Sequence, residues 1–233
     1  MHLIVPLAGP DFIGNDGALK ALRPFKGRPI LKYILDSRPW IHDLDAITFI
    51  LIDNVVTRQF ASDYLSKWFP GSLSVFLSTY SRGAAFSSLA GIACQSNFTV
   101  PIIVDLADIF YKTSIKPNDF FRASQVCGGI GLVFSSNDPL YSYLRCDSSG
   151  KFCEAAEKKV ISHSASVGTY FFKNSAVFLR ALAHAIDNES SQTHNNLFYL
   201  CPLFNGVLCQ GLDIAIEEVD QVVDVKVIAP KAF

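Results

Sequence analysis

Residues 100–115, VPIIVDLADIFYKTSI, decide how the chain folds. Residues 101–104 form a short, proline-led apolar run of the kind buried on both faces of a sheet. The run ends in two carboxylates, Asp105 and Asp108, where the chain must leave that sheet. Open α/β sheets take ligands beyond the carboxyl ends of their strands, so an acidic residue here can hold a cation without being buried alone. Taken by themselves, the two aspartates cap a helix or turn equally well.

A strand buried on both faces needs parallel neighbours, and the sequence offers them. Residues 2–7, 46–52 and 73–77 read as apolar strands. Residues 29–37, 55–69 and 81–93 read as helices, the first started by Pro29, the second stopped by Pro70-Gly71 and the third opened by Gly83. This alternation predicts a parallel sheet with right-handed crossovers. The pattern then changes. Residues 126–134 form a glycine-rich strand, and residues 141–145 and 152–155 flank the turn sequence Asp147-Ser148-Ser149-Gly150 as a hairpin. A strand over 166–172, an amphipathic helix over 175–186, a helix over 196–208 interrupted near Pro202, and closing strands over 214–219 and 222–228 complete the expectation. The predicted fold is α/β, a Rossmann-like three-layer sandwich with a mostly parallel central sheet and a smaller antiparallel hairpin region, in which residues 1–233 form a single domain.

Half of the 233 residues are hydrophobic, 18% are charged and the formal net charge is -1, which suits one large core and gives no basic footprint for nucleic acid. The six cysteines are scattered with no CxxC pair, and no charged segment precedes the first apolar run, so a reduced, cytoplasmic protein is expected. No apolar run approaches the roughly 20 residues that span a bilayer.

Between the first strand and the first helix lies AGPDFIGNDGALK, residues 8–20. A strand, a loop of small residues and a helix form the arrangement in which backbone N–H groups point at a phosphate. The spacing is neither GxGxxG nor a Walker A pattern, and an ordinary long connection fits it as well.

Taken together, these pieces resemble the nucleotidyltransferases that make nucleoside-diphosphate sugars. VPLAG (5–9) with LKALRPFKGRPIL (19–31) is similar to the family's strand, glycine loop and lysine segment, with Lys20 at the motif lysine and Gly27-Arg28-Pro29 at its GKP. Ser81-Arg82-Gly83-Ala84-Ala85 is similar to the loop against the nucleobase. IIVDLADIF (102–110) places Asp108 at the metal-binding aspartate. The hairpin followed by Glu157-Lys158 and by Gly168, Tyr170 and Phe172 resembles the acceptor region, and residues 196–211 resemble a segment of relatives from surface-polysaccharide pathways.

The resemblance implies transfer of a nucleotidyl group from a nucleoside triphosphate to a phosphorylated sugar, with Mg²⁺ as cofactor. Leu7, Ala8, Gly9, Ser81, Arg82, Gly83 and Ala84 would hold the nucleotide. Lys20 would face the α-phosphate and Asp108 the metal, with Asp220 or Asp224 as a second carboxylate; spacing does not choose between these two, and Asp224 is carried forward. Glu157, Lys158 and Gly168 would meet the acceptor. A homo-oligomer is compatible with this reading; nucleic acid and membrane partners are not expected. The chain departs from the family in its loop, where Gly9-Pro10-Asp11 replaces GxGxR, Pro10 removes an amide donor and no arginine precedes Arg23. Arg23 or Arg28 is the expected substitute for that arginine, with Arg28 preferred because it follows Gly27 in the matching GKP position. Two alternatives stay open: a glycosyltransferase of the same fold, against which Asp105-x-x-Asp108 is one residue too long for DxD, and a non-catalytic binder of nucleotides or sugar phosphates.

Overall fold

The computed structural model describes residues 1–225. In chain order, β1 (His2–Pro6) leads through a long loop to a two-residue hairpin, β2 (Pro24–Phe25) and β3 (Arg28–Pro29), and then to α1 (Ile30–Asp36). The next units are β4 (Ala46–Ile52), the helical run α2 (Val55–Phe60), a π-turn (Ala61–Leu65) and α3 (Ser66–Trp68), then β5 (Leu73–Leu77) and α4 (Ala84–Ala93). β6 (Ile102–Asp105) closes this half. Asn54 caps α2 with a capping box, and Gly83 sits at the N-cap of α4 with φ +96. A Cβ at Gly83 would lie 2.9 Å from the backbone nitrogen of Phe198, so only glycine admits that close approach.

The second half adds β7 (Ile109–Lys112), α5 (Pro117–Ala123), β8 (Cys127–Ser135), the hairpin β9 (Tyr143–Cys146) and β10 (Phe152–Ala156), β11 (Ser164–Phe172) and α6 (Ser175–Asp187). A small unit follows, α7 (Glu189–Gln192), β12 (Thr193–His194) and β13 (Leu197–Phe198), then α8 (Leu203–Leu208), β14 (Asp213–Glu218) and β15 (Asp220–Asp224).

The nine-stranded sheet runs β10-β9-β11-β6-β1-β4-β5, with β8 joining β11 and β14 joining β8. β6, β1, β4 and β5 are mutually parallel, whereas β11 is antiparallel to β6. The period-2 alternation of β1 divides the core. Leu3 and Val5 point to the layer holding Trp40, Phe49 and Leu51, while Ile4 points to the opposite layer with Ile50, Phe178 and Phe204. This is the predicted three-layer α/β arrangement.

Three expectations change. Residues 196–208 are not one helix: Asn195 and Asn196, at φ 50 and 59, form a two-residue turn pairing His194 with Leu197, and only Leu203–Leu208 is helical. Two consecutive asparagines accept the left-handed conformation that such a hairpin needs, and the apolar run after them concealed it. Residues 109–112 and 117–123, for which the sequence pattern predicts no element, form β7 and α5. The closing strand expected over 222–228 is β15 as far as Asp224, and residues 226–228 lie outside the described residues.

One core residue makes stability depend on pH. His2 is 3% exposed, its Nε2 lies 2.8 Å from Thr48 Oγ1, and burial, aided by the amino-terminal ammonium, lowers its pKa to about 4. The unfolded chain binds this proton near 6.5, so between pH 6.5 and 4 the unfolded state holds more protons and stability rises with pH. The full difference is worth no more than about 3 kcal/mol. Melting from pH 7 down to pH 4 is expected to show a loss of stability that is shallower in His2→Gln; identical slopes would assign the acid sensitivity elsewhere.

Candidate active site

The loops that follow β1, β5 and β6 open onto one cleft. Its main chamber, about 540 Å³, is lined by Gly9, Asp11, Asp108, Glu157, Lys158 and Asp224 among others. A smaller chamber of about 180 Å³ shares Gly9 and Asp108 and adds Leu7 and Lys20. Sites at the carboxyl ends of parallel strands are where an open α/β sheet binds its ligands.

Asp105 and Asp108 separate here. Asp105, the last residue of β6, is fully buried and paired with Arg38, its Oδ2 accepting from Arg38 Nε at 2.7 Å. It is therefore not available to a cation, and of the two strand-end carboxylates only Asp108 is left for one. Asp108 does line the cleft, and its backbone carbonyl accepts from the amide of Val225 at 3.2 Å. That contact comes from the pairing of β15 with β7, which sets Asp224 opposite Ile109 and so brings a second carboxylate to the same chamber. Tyr141 donates its hydroxyl to Asp224 Oδ2 at 2.9 Å, and burial, then that bond, pushes the phenol well above its usual value. Asp220, the other candidate, is exposed at the start of β15 and does not line the chamber. Among the described residues no three His, Cys, Asp or Glu side chains form a group that could hold a metal ion.

Lys20 begins a single 3-10 turn after the glycine loop and reaches back across it, its Nζ 2.7 Å from Asp11 Oδ2. Gly14 and Ala18 are bonded across the loop's far part, and the amide of Lys20 donates to Phe12. Arg28 stands elsewhere. It is paired with Asp36 at the end of α1 and lines neither chamber, while Arg23 lies 3.9 Å from Asp16. The structure thus gives the expected role of Arg28 no geometric support. Arg28→Ala is expected to leave triphosphate affinity within about twofold of the wild type, as for an exposed pair worth at most about 1 kcal/mol; calorimetry giving a tenfold loss would return the residue to the site.

Of the residues expected to hold the nucleotide, Leu7, Ala8 and Gly9 border a chamber of about 430 Å³ next to Asn54 and Thr79. Ser81, Arg82 and Gly83 border a separate recess of about 180 Å³, and Ala84 lines the main cleft. Arg82 leans on Glu189 at 3.3 Å and over the ring of Phe198, so its guanidinium is engaged away from the main chamber. Of the residues expected to meet the acceptor, Glu157 accepts from Ser142, and Lys158 Nζ stands 5.7 Å from the centre of the Tyr199 ring. Gly168, at φ +79, interrupts the register of β11 with β8, and a Cβ there would sit 3.2 Å from Asp108 Oδ1. The missing side chain leaves room for the carboxylate.

Tyr80, Tyr141, Ser142, Ser166 and Tyr199 line the main chamber without having been singled out. Tyr80 follows β5 immediately before Ser81, so the strand-end rule applied to Asp108 would have found it. Burial, with Tyr199 and two carboxylates nearby, pushes its pKa up to about 12, and it stays a neutral donor at pH 7. Tyr199 was concealed by the helix expected over 196–208.

A mostly parallel sheet with β11 inserted antiparallel, a hairpin at one edge and a cleft across the strand ends is an α/β arrangement shared with several solved structures. The chain superposes on a nucleoside-diphosphate-sugar pyrophosphorylase from Vibrio cholerae RC9 with a TM-score of 0.81 and 22% identity, covering 98% of this chain and 96% of that one. A putative glucose-1-phosphate thymidylyltransferase from Bacillus anthracis gives 0.74 and 17%, covering 96% and 89%. The inositol-1-phosphate CTP transferase from T. maritima gives 0.66 and 11%, covering 95% and 86%. At these identities the likeness establishes the fold. No protein-family model matches the sequence, and no curated protein matches it.

Proposed function

We propose that the whole chain is one nucleotidyltransferase domain that joins a nucleoside triphosphate to a sugar 1-phosphate or similar phosphorylated acceptor, releasing pyrophosphate. The observation that carries this reading is that Lys20, Asp108, Asp224 and Lys158 all border connected chambers at the carboxyl edge of a sheet of nucleotidyltransferase type. An oxygen of the acceptor phosphate attacks the α-phosphorus in line, the new P–O bond forms and the bond to pyrophosphate breaks. The protein mainly positions the two phosphates and offsets their charge. Lys20 leaves Asp11 for the α-phosphate, and Lys158 meets the acceptor phosphate. Asp108 and Asp224 suit Mg²⁺, which takes one or two carboxylates and completes its shell with water and phosphate oxygens. When bound, the ion neutralises charge on the triphosphate. A cytoplasmic location among nucleotide-sugar and polysaccharide enzymes, with a homo-oligomer allowed, accords with this reading, and no helix among the described residues is long and apolar enough to cross a membrane.

A panel of nucleoside triphosphates, each with and without Mg²⁺, tests the reading by thermal melting. A ligand at a hundred times its Kd stabilises the folded state by about 2.7 kcal/mol. At least one triphosphate is expected to raise the Tm only when Mg²⁺ is present; no shift with any of them would retire the proposal.

A further inference from the structure

We propose that Arg38 and Asp105 are positioning residues for Asp108, a buried ion pair that fixes the backbone of residues 105–109 so that the Asp108 carboxylate faces the cleft. The inference rests on the nucleotidyltransferase reading only in assigning Asp108 a metal to hold. Both side chains are 0% exposed. Arg38 follows the end of α1, outside the cleft lining, and makes three bonds with the far side of the loop. Its Nε donates to Asp105 Oδ2 at 2.7 Å, and its Nη2 donates to Asp105 Oδ1 at 3.3 Å and to the Ile109 carbonyl at 3.1 Å. Asp105 Oδ1 also accepts the amide of Ala107 at 2.8 Å. That bond holds Ala107 at φ +52, a strained conformation for a residue with a Cβ that persists only where its surroundings fix it.

A buried ion pair is weak evidence for stability, because a matched apolar pair often does as well. Its placement is the informative feature. The two residues together hold the beginning, the middle amide and the final carbonyl of a five-residue segment, of which Leu106, Asp108 and Ile109 line the main chamber and Asp108 is the titratable one. Tyr111, on the strand that follows, stacks its ring 3.8 Å from the guanidinium and donates its hydroxyl to Thr169 at 2.8 Å, which ties the clamp to β11. Burial alone would lower the Arg38 pKa, but Asp105, then Tyr111 and Asp108, outweigh it and hold the guanidinium above its ordinary value. A lysine would supply the charge without the planar fork that reaches a carboxylate and a carbonyl at once.

The test uses Arg38→Met/Asp105→Leu, which removes both charges and leaves neither buried alone, beside Arg38→Lys. Hydrogen exchange on the protein alone is expected to quicken at least tenfold at residues 107–109 in the double variant while β1 keeps its wild-type rates. Mg²⁺ affinity measured by calorimetry in the presence of triphosphate is expected to fall 10- to 100-fold, the usual cost of losing an orienting partner behind a metal ligand. Arg38→Lys should lie between, and it carries the same two readings if the double variant does not fold. Wild-type exchange at 107–109, or unchanged Mg²⁺ affinity alongside faster exchange, would overturn the proposal. A wild type that binds no triphosphate with Mg²⁺ would overturn the functional reading instead, and the exchange rates would then decide the clamp by themselves.

Discussion

Asp108→Asn is expected to abolish Mg²⁺-dependent triphosphate binding while leaving the melting temperature in buffer close to that of the wild type. The asparagine keeps the shape of the side chain beside Gly168 and removes the charge, and a hard cation loses far more from that change than the fold does. Half-exposed positions at a strand end contribute within about 0.5 kcal/mol of stability. Asp224→Asn should weaken the same binding less, because Tyr141 still orients the amide that replaces the carboxylate. Isothermal titration of Mg²⁺ against a fixed triphosphate concentration measures both variants; a wild-type isotherm from Asp108→Asn would remove the residue from the site.

The second large effect concerns the glycine loop, where Lys20 is held by Asp11. The ion pair joins a lysine whose side chain is 24% exposed to an aspartate at 68%, so it is worth at most about 1 kcal/mol and a phosphate can displace it. Lys20→Ala should therefore lower triphosphate affinity by tenfold or more, since a charge-assisted phosphate contact is worth about 1.5–3 kcal/mol. Asp11→Asn should act in the opposite direction and raise the affinity by up to about fivefold, by releasing the lysine and removing a carboxylate from the phosphate path. Opposite signs from two neighbouring substitutions distinguish a competing carboxylate from general damage to the loop. Equal losses from both would show instead that the pair is needed intact.

The half of the chain built from alternating strands and helices was legible because each element carries its own signal. β4 and β5 lie where the apolar runs placed them, and Gly83 opens α4 as its sequence required. The place of Asp108 in the cleft is legible by the same route, from the position of a carboxylate just past a buried strand. What escaped the sequence depends on partners distant along the chain. Nothing local distinguishes Asp105 from Asp108; the difference is Arg38, 67 residues earlier, which takes one carboxylate into the core and leaves the other for the cleft. Arg28 shows the reverse case, a residue placed by motif position that its neighbour Asp36 draws to another surface. The far wall of the main chamber is harder still to read, because Tyr141, Ser142, Ser166 and Tyr199 come together only when the hairpin, β11 and the Asn195-Asn196 turn converge.

The central claim is group transfer in this cleft, and one assay measures it directly. Protein, Mg²⁺, each nucleoside triphosphate and a set of sugar 1-phosphates are incubated together, and pyrophosphate and the nucleotide-linked product are quantified in parallel, with Asp108→Asn as control. The expected result is equimolar pyrophosphate and nucleotide sugar from at least one pair, formed only with Mg²⁺ and lost in the variant. Tight triphosphate binding with no pyrophosphate from any pair would contradict catalysis and leave a protein that binds nucleotides without transferring them.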